Sequence, residues 1–473
     1  MKKSLILISV MLIISQFVFG SARMESLGEY FSFIVGDTDT DIELFPTHLN
    51  EYKGKHVRFG SSANTRDKYT STGNLNIAVL PLLNRFSYKL ILEAYGNENN
   101  NIFQKHYQDG YINPRYYFNP FKTSKYNSMY TDGLESAAMK NLFSFKFSEN
   151  FSVGSIISIS KEINDSYREA ETENTDTDRL YTSVHNINLD DFSTLVNFHF
   201  KNFFLNDVSF SYQSLDNIEE ESTIRTDNNI YSWGDSRFSE DQALVDSDEN
   251  GVIYSLAMLH ENKEDAIIKR IFTEISYSEF DLSYTSSEFR MQEHYQNDEY
   301  EYMDLQQELN SADYNNALYK GCVGLGFENP KKDLTLFYGL KIGGFLGEFT
   351  GNESFSALDF HEHIYPDSTV TDSVSTQYEH RKDGKEYRAS VELPIGAKFK
   401  ITEKINISGG LGYKVTRLYL QNANEDNYYR WHTEVYQTLG AELNPIDKLK
   451  INLMFNSDLA SLKYWIIDVK YFF

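Results

Sequence analysis

The chain has 473 residues and carries 69 Asp+Glu against 44 Lys+Arg, a formal net charge of −25. That balance excludes nucleic acid as a partner, because phosphate recognition needs clustered Lys and Arg, and the single cysteine, Cys322, excludes a disulfide framework and any Cys-rich zinc or iron–sulfur site. With Tyr 34, Phe 34 and Pro 8 at a mean hydropathy of −0.49, it is too polar for a helical membrane protein and too aromatic for a disordered one.

Residues 1–22 read as a cleaved secretory signal peptide. Lys2 and Lys3 give the charged start, an apolar stretch runs from Leu5 to Phe19, and Gly20, Ser21 and Ala22 give small residues for cleavage. No cysteine follows the apolar stretch, so a lipoprotein anchor is excluded. Residues 23–54 form an N-terminal periplasmic or lumenal segment, and residues 55–473 carry the repeating pattern of the fold. After residue 22 no apolar run approaches the roughly 20 residues of a transmembrane helix. Period-2 alternation in segments of about ten residues recurs instead.

Early alternating segments lie at 75–83, 86–95, 141–147, 151–160, 192–199, 208–213, 280–289, 319–327 and 334–346. Residues 252–275 are read as one bent strand, to keep an even total. The pattern is clearest near the C-terminus. Over 389–401 one face carries Ala389, Val391, Leu393, Ile395, Ala397, Phe399 and Ile401, while Glu392, Lys398 and Lys400 fall on the other. The following segments place Lys414, Glu434, Glu442, Lys450, Asp468 and Lys470 on the face opposite their apolar residues. Short polar turns at 148–150, 328–332, 402–404 and 444–448 contrast with long polar stretches at 96–140, 161–189, 214–250, 292–316 and 347–388.

Short connections on one side and long ones on the other predict an all-β, up-and-down antiparallel transmembrane β-barrel of about 16 strands, range 14–18. The short turns would be periplasmic and the long loops extracellular. Closure removes the unpaired edge that lipid cannot tolerate. Only alternate residues face lipid, which reconciles the aromatic content with the low mean hydropathy. The lumen-facing candidates are Glu392, Lys398, Lys400, Lys414, Glu434, Glu442, Lys450, Asp468 and Lys470. Such mixed charges either line a hydrated pore or neutralise one another as interior salt bridges.

Two metal patterns stand out. Asp246, Asp248 and Asn250, followed by Gly251 and Ile253, match the start of a calcium loop, but Ala257 replaces the closing bidentate Glu. Apart from this weak calcium candidate no cofactor is expected. Asp359, His361, Glu362, His363 and Asp367 could put two imidazoles on one side of a strand. The aromatic and Asn-rich stretch 96–130 could bind carbohydrate or constrict a pore. No Gly-x-Ser-x-Gly, His-Glu-x-x-His or phosphate-cradling glycine loop occurs, so an enzyme is not expected.

The ending Val469-Lys470-Tyr471-Phe472-Phe473 resembles the C-terminal signal of bacterial outer-membrane barrels, with Tyr471 and Phe473 as its assembly residues. Residues 392–415 (ELPIGAKFKITEKINISGGLGYKV) resemble a late hairpin of such barrels. Residues 23–49 (RMESLGEYFSFIVGDTDTDIELFPTHL) are similar to the opening of FadL-like fatty-acid transport barrels and their PorV-like relatives, although the Asn, Ala and Gly of that opening are missing at Phe45-Pro46-Thr47-His48-Leu49. The resemblance implies a segment that enters the lumen as a hatch, and conduction of hydrophobic compounds. The expectation is therefore a cell-outer-membrane barrel serving as a passive channel or transporter for small solutes. Its partners would be outer-membrane lipid and lipopolysaccharide, with the barrel-assembly machinery during biogenesis. The alternative is a non-conducting structural or adhesive surface barrel that binds a partner or carbohydrate through its loops.

Overall fold

The computed structural model describes residues 31–52, 55–64, 70–83, 85–96, 134–174, 177–201, 205–230, 235–262, 266–296, 299–365, 368–422, 428–456 and 464–473. The leader, and residues 97–130 of the aromatic, Asn-rich stretch, lie outside them. The described residues form sixteen strands. They are β1 (His56–Asn64), β2 (Thr70–Leu83), β3 (Phe86–Gly96), β4 (Leu134–Ser148), β5 (Phe151–Asn174), β6 (Thr177–Phe200), β7 (Asp207–Ile230) and β8 (Asp235–Glu261). Then follow β9 (Ile268–Gln296), β10 (Glu299–Pro330), β11 (Leu334–Tyr365), β12 (Ser368–Thr402), β13 (Ile405–Asn422), β14 (Tyr428–Ile446), β15 (Leu449–Asn456) and β16 (Tyr464–Phe472). Every strand pairs antiparallel with its neighbours in sequence. β1 also pairs with β16, from His56↔Phe472 to Asn64↔Tyr464, and this closes the ring. Closure leaves no row of N–H and C=O groups unpaired at an edge.

The wall is very uneven in height. β1 to β4 and β13 to β16 run 8 to 19 residues, whereas β9, β10, β11 and β12 run 29, 32, 32 and 35. At about 3.4 Å per residue and a tilt near 40°, β12 rises roughly 90 Å. Most of the polar stretches expected to be long loops are therefore strand. Residues 161–189 stay paired in β5 and β6 out to Asn174↔Thr177. Residues 347–388 lie in β11 and β12, paired from Gly347↔Glu386 to Tyr365↔Ser368. Hydropathy alternation reports burial of a continuous apolar face, and these segments carry polar residues on both faces with only scattered apolar ones such as Phe349 buried. Their ladder hydrogen bonds need no such burial, so the sequence signal vanishes while the pairing persists. The merged strand over 252–275 is also corrected: Val252 belongs to β8 and Ile275 to β9, with the chain reversing between Glu261 and Ile268.

The two faces of the wall differ as the alternation requires. On β12, Val391, Leu393, Ile395 and Phe399 are 41–59% exposed on the outside, while Pro394 and Gly396 between them are buried. Aromatic rows bound the outward apolar zone. Tyr212, Tyr254, Tyr277 and Tyr319 are direct cross-strand neighbours on β7 to β10, with ring centroids 5.4 Å apart for Tyr212–Tyr254 and 5.1 Å for Tyr277–Tyr319. Tyr387, Tyr419 and Tyr429 form a similar row on β12 to β14. At the short-turn end, Phe145, Phe147, Phe151 and Phe200 follow one another with ring centroids 4.7, 5.5 and 5.3 Å apart, and Phe327 stacks on Tyr338. From Tyr319 to Phe327 the strand climbs about 21 Å at the same pitch and tilt.

Candidate functional site: the filled end of the lumen

Residues 31–52 occupy the lumen at the short-turn end. Asp37 caps a single helical turn, α1 (Thr38–Asp41), by accepting from Thr40 N at 3.2 Å. A 3-10 turn, Pro46–Glu51, starts with proline at its first position, where a missing N–H costs nothing. Such short pieces do not hold themselves, so the wall must hold them. Phe31, Ile34, Val35 and Phe45 join Ala257, Leu259, Phe272 and Phe337 in one buried cluster. Ile42 and Leu49 join Ile91, Leu142, Ile156 and Leu195 in a second. The segment thus packs against β3 to β6 through one cluster and against β8, β9 and β11 through the other.

Polar groups of the segment find partners in the wall. Arg270 forks onto Asp41, Nη1 to Oδ1 at 2.8 Å and Nη2 to Oδ2 at 2.9 Å, and also donates to Glu261. Lys470 Nζ reaches both oxygens of Asp39 at 2.8 and 2.7 Å, and Lys89 Nζ lies 4.0 Å away. Tyr52 donates to Asp39, and its ring lies 4.9 Å from Lys470 and 5.5 Å from Lys89. Burial alone would raise the Asp39 pKa, but the cations of Lys470, Arg58 and Lys89 hold it well below the usual carboxylate value. Asn50 Nδ2 donates to Ser144 at 2.7 Å, and Ser87 donates to Asn50 at 3.0 Å. Thr47 donates from its backbone N to Asn197 at 3.2 Å, and its one hydroxyl proton has both Asn197 Oδ1 and, at 3.0 Å, Asp207 Oδ1 within reach.

Close approach of the segment also explains a glycine. A Cβ on Gly326 would sit 1.6 Å from the carbonyl oxygen of Ile34, so the backbone of the segment lies directly on that of β10.

Six of the nine charges expected to face the lumen pair with one another, and the other three pair elsewhere. Lys398 and Lys450 both reach Glu442, at 3.3 and 3.0 Å. Lys414 lies between Glu392 at 3.8 Å and Glu434 at 3.7 Å. Asp468 accepts from Arg58 at 2.7 Å and from Asn452 at 3.0 Å. Lys400 pairs with Glu403 at the turn, and Lys470 holds the segment through Asp39. Tyr471 and Phe473 lie edge to face at 5.2 Å on the last strand.

The calcium-loop reading of Asp246, Asp248 and Asn250 is corrected. Residues 235–261 are continuous strand, and Gly251 pairs with both Leu215 and Phe280. An extended chain spaces alternate oxygens in a row of about 7 Å steps and cannot wrap them round one ion. All three are exposed, and Asn250 Nδ2 donates to Asp248 at 2.8 Å. The glycine serves a different end: the Phe280 ring lies where its Cβ would be, 2.0 Å from Cδ1. His361, on β11, faces Asp304 of β10 at 2.8 Å; Asp367 lies outside the described residues.

Beyond the segment, the lumenal face of β7 to β11 carries apolar side chains. Leu215, Phe280 and Leu318 are buried together with Ile253 and Phe345 against them. Further from the short turns, Leu282, Ala312 and Tyr314 cluster with Tyr284. Sequence reasoning missed Asp39, Asp41, Arg58, Lys89, Asp207 and Arg270. The only signal for Arg58, Lys89, Asp207 and Arg270 was a charge at an inward position beside a turn, and Asp39 and Asp41 lie in a stretch without periodicity.

No protein-family model matches the chain, and no curated protein matches it. Among solved structures it is similar to the FrpB iron transporter from Neisseria meningitidis (F3-3 variant), at 8% identity and a TM-score of 0.32, over 90% of this chain and 82% of that one. It is similar to the siderophore receptor PirA from Acinetobacter baumannii at 8% identity and a TM-score of 0.29, over 89% and 80%. It is also similar to the Ralstonia pickettii toluene transporter TbuX at 11% identity and a TM-score of 0.33, over 96% and 98%. Identity and TM-score are low throughout, and no residue role passes from them to this chain.

Proposed function

We propose that the chain is an integral outer-membrane barrel that passes small solutes, apolar ones among them, under the control of residues 31–52. The carrying observation is the contrast between the two ends of the lumen. The short-turn end is filled by a segment docked through removable ion pairs and hydrogen bonds, and above it an apolar stripe runs along β7 to β11. The outward apolar zone between aromatic rows matches the roughly 25 Å lipid-facing band of such barrels and their aromatic girdles. The tall, polar part of β5 to β12 then stands outside the lipid, with its outward face in water.

Conductance tests this reading. The folded protein in planar bilayers should give small or rare openings, and deletion of residues 31–52 should give large, steady ones. Entry of a small aromatic solute into liposomes should rise in parallel. Absence of channels and of uptake in both forms would overturn it. A second reading, a non-conducting surface barrel that binds a partner, is favoured by the height of β9 to β12. Binding to a cell surface or glycan, lost when the tips of those strands are trimmed, would favour it over transport.

A further inference from the structure

Three side chains converge where the lumenal segment meets the wall. His48 comes from the 3-10 turn, His199 from the end of β6 and Asp207 from the start of β7, and His199 and Asp207 are direct cross-strand partners. His48 Nε2 lies 3.2 Å from Asp207 Oδ2, and His199 Nδ1 lies 3.2 Å from both Asp207 oxygens. One ligand atom from each residue lies within 4.8 Å of the other two. Two imidazole nitrogens and one carboxylate oxygen form the donor set preferred by zinc and related divalent transition cations, whose bonds run about 2.0–2.2 Å.

The surroundings add a second, independent observation. Glu51 Oε1 lies 2.9 Å from His48 Nδ1. A carboxylate beside the far ring nitrogen is the outer-shell partner that a metal-bound histidine commonly has, with Nε2 turned to Asp207. The Thr47 hydroxyl lies 3.0 Å from Asp207 Oδ1, beside the carboxylate. The His48 and Asp207 side chains are 1% and 0% exposed, so their geometry is held, while the His199 side chain is 27% exposed and gives a path in.

We propose that His48, His199 and Asp207 bind one divalent transition cation of the zinc class, which ties the lumenal segment to the barrel wall. With bonds of about 2.1 Å the ligand atoms of a tetrahedral site lie about 3.4 Å apart, so the 3.2 Å contacts to Asp207 already suit it and the two imidazole nitrogens, at most 4.8 Å apart, must close the rest. Water completes the fourth position. Because one ligand belongs to the segment and two to the wall, cation binding and docking of the segment become linked, each strengthening the other by the same factor.

The test uses the full, folded chain in detergent, stripped with a chelator and titrated with zinc by calorimetry, then with cobalt by visible absorption. The expected result is one saturating site per chain, with absorption bands of four-coordinate cobalt. His199→Ala and His48→Ala should each weaken binding at least 100-fold. Glu51→Gln should weaken it about 10-fold, as outer-shell changes do. His361→Ala combined with His363→Ala should leave it unchanged. His199 is partly exposed, so its variant is expected to fold, and unboiled gel migration checks that it has. No saturable binding by the unaltered chain, or binding that survives His199→Ala in a folded barrel, overturns the proposal. Neither result bears on whether the barrel conducts, so the site and the transport reading fail separately.

Discussion

Gly326→Ala gives the sharpest test of whether residues 31–52 depend on backbone-to-backbone seating. The added methyl would sit 1.6 Å from Ile34 O and 2.6 Å from Ile34 C. An ordinary C···O contact is about 3.3 Å, so the two backbones must part by about 1.7 Å. Phe31, Ile34 and Val35, exposed 0%, 1% and 4%, move with that carbonyl. Each contributes about 2 kcal/mol when fully buried, and a gap above 1 Å removes at least half of their close contact. The docked state should lose about 3 kcal/mol, a factor of about 150 in its population. Cys322 supplies the assay, because it lies on the same inward face of β10 and packs against that cluster. A polar thiol reagent should modify it slowly in the unaltered protein and up to about 100-fold faster in Gly326→Ala, with conductance rising alongside. Gly321→Ala is the control, since its Cβ would meet only Glu274 O at an ordinary 3.7 Å. Equal alkylation rates in the two proteins, with unchanged conductance, would refute the seating argument.

Asp41→Ala removes one partner of a buried fork and should cost about 3 kcal/mol in a thermal or denaturant melt, with the double change Asp41→Leu and Arg270→Met recovering most of it. The pH dependence follows from Asp39, whose folded pKa is depressed by Lys470, Arg58 and Lys89. Its stabilisation is complete above the ordinary Asp value near 3.9 and is lost as pH falls through the folded value. Bilayer conductance should therefore show an acid step that sets in only below about pH 4, and Asp39→Asn should diminish that step. On the outward face, Ile395→Arg should cost about 2–4 kcal/mol in refolding into lipid. The inward Glu392→Gln, at the long end of a partly exposed pair, should cost less than about 1 kcal/mol.

By itself the sequence determined the class of fold and the two faces of the wall. Alternation over 389–401 identifies which residues of β12 point outward, because period 2 is a property of the extended backbone and one face must be apolar. What lay beyond that rule was decided by tertiary structure. The polar segments of β5 to β12 look like loops because alternation marks burial and not hydrogen bonding, so their true length appears only once partner strands are in register. Gly251 in the run 246–253 suggests a calcium loop until Phe280, from the neighbouring strand, is seen to occupy the space its side chain would take. The lumenal segment shows the limit most plainly. Asp39, Asp41 and His48 lie in a stretch with no periodicity of its own, and their partners Lys470, Arg270 and Asp207 are 431, 229 and 159 residues away. Only closure of the ring brings those partners to one end of one lumen, because a charge buried there is tolerated only where its counterpart already stands.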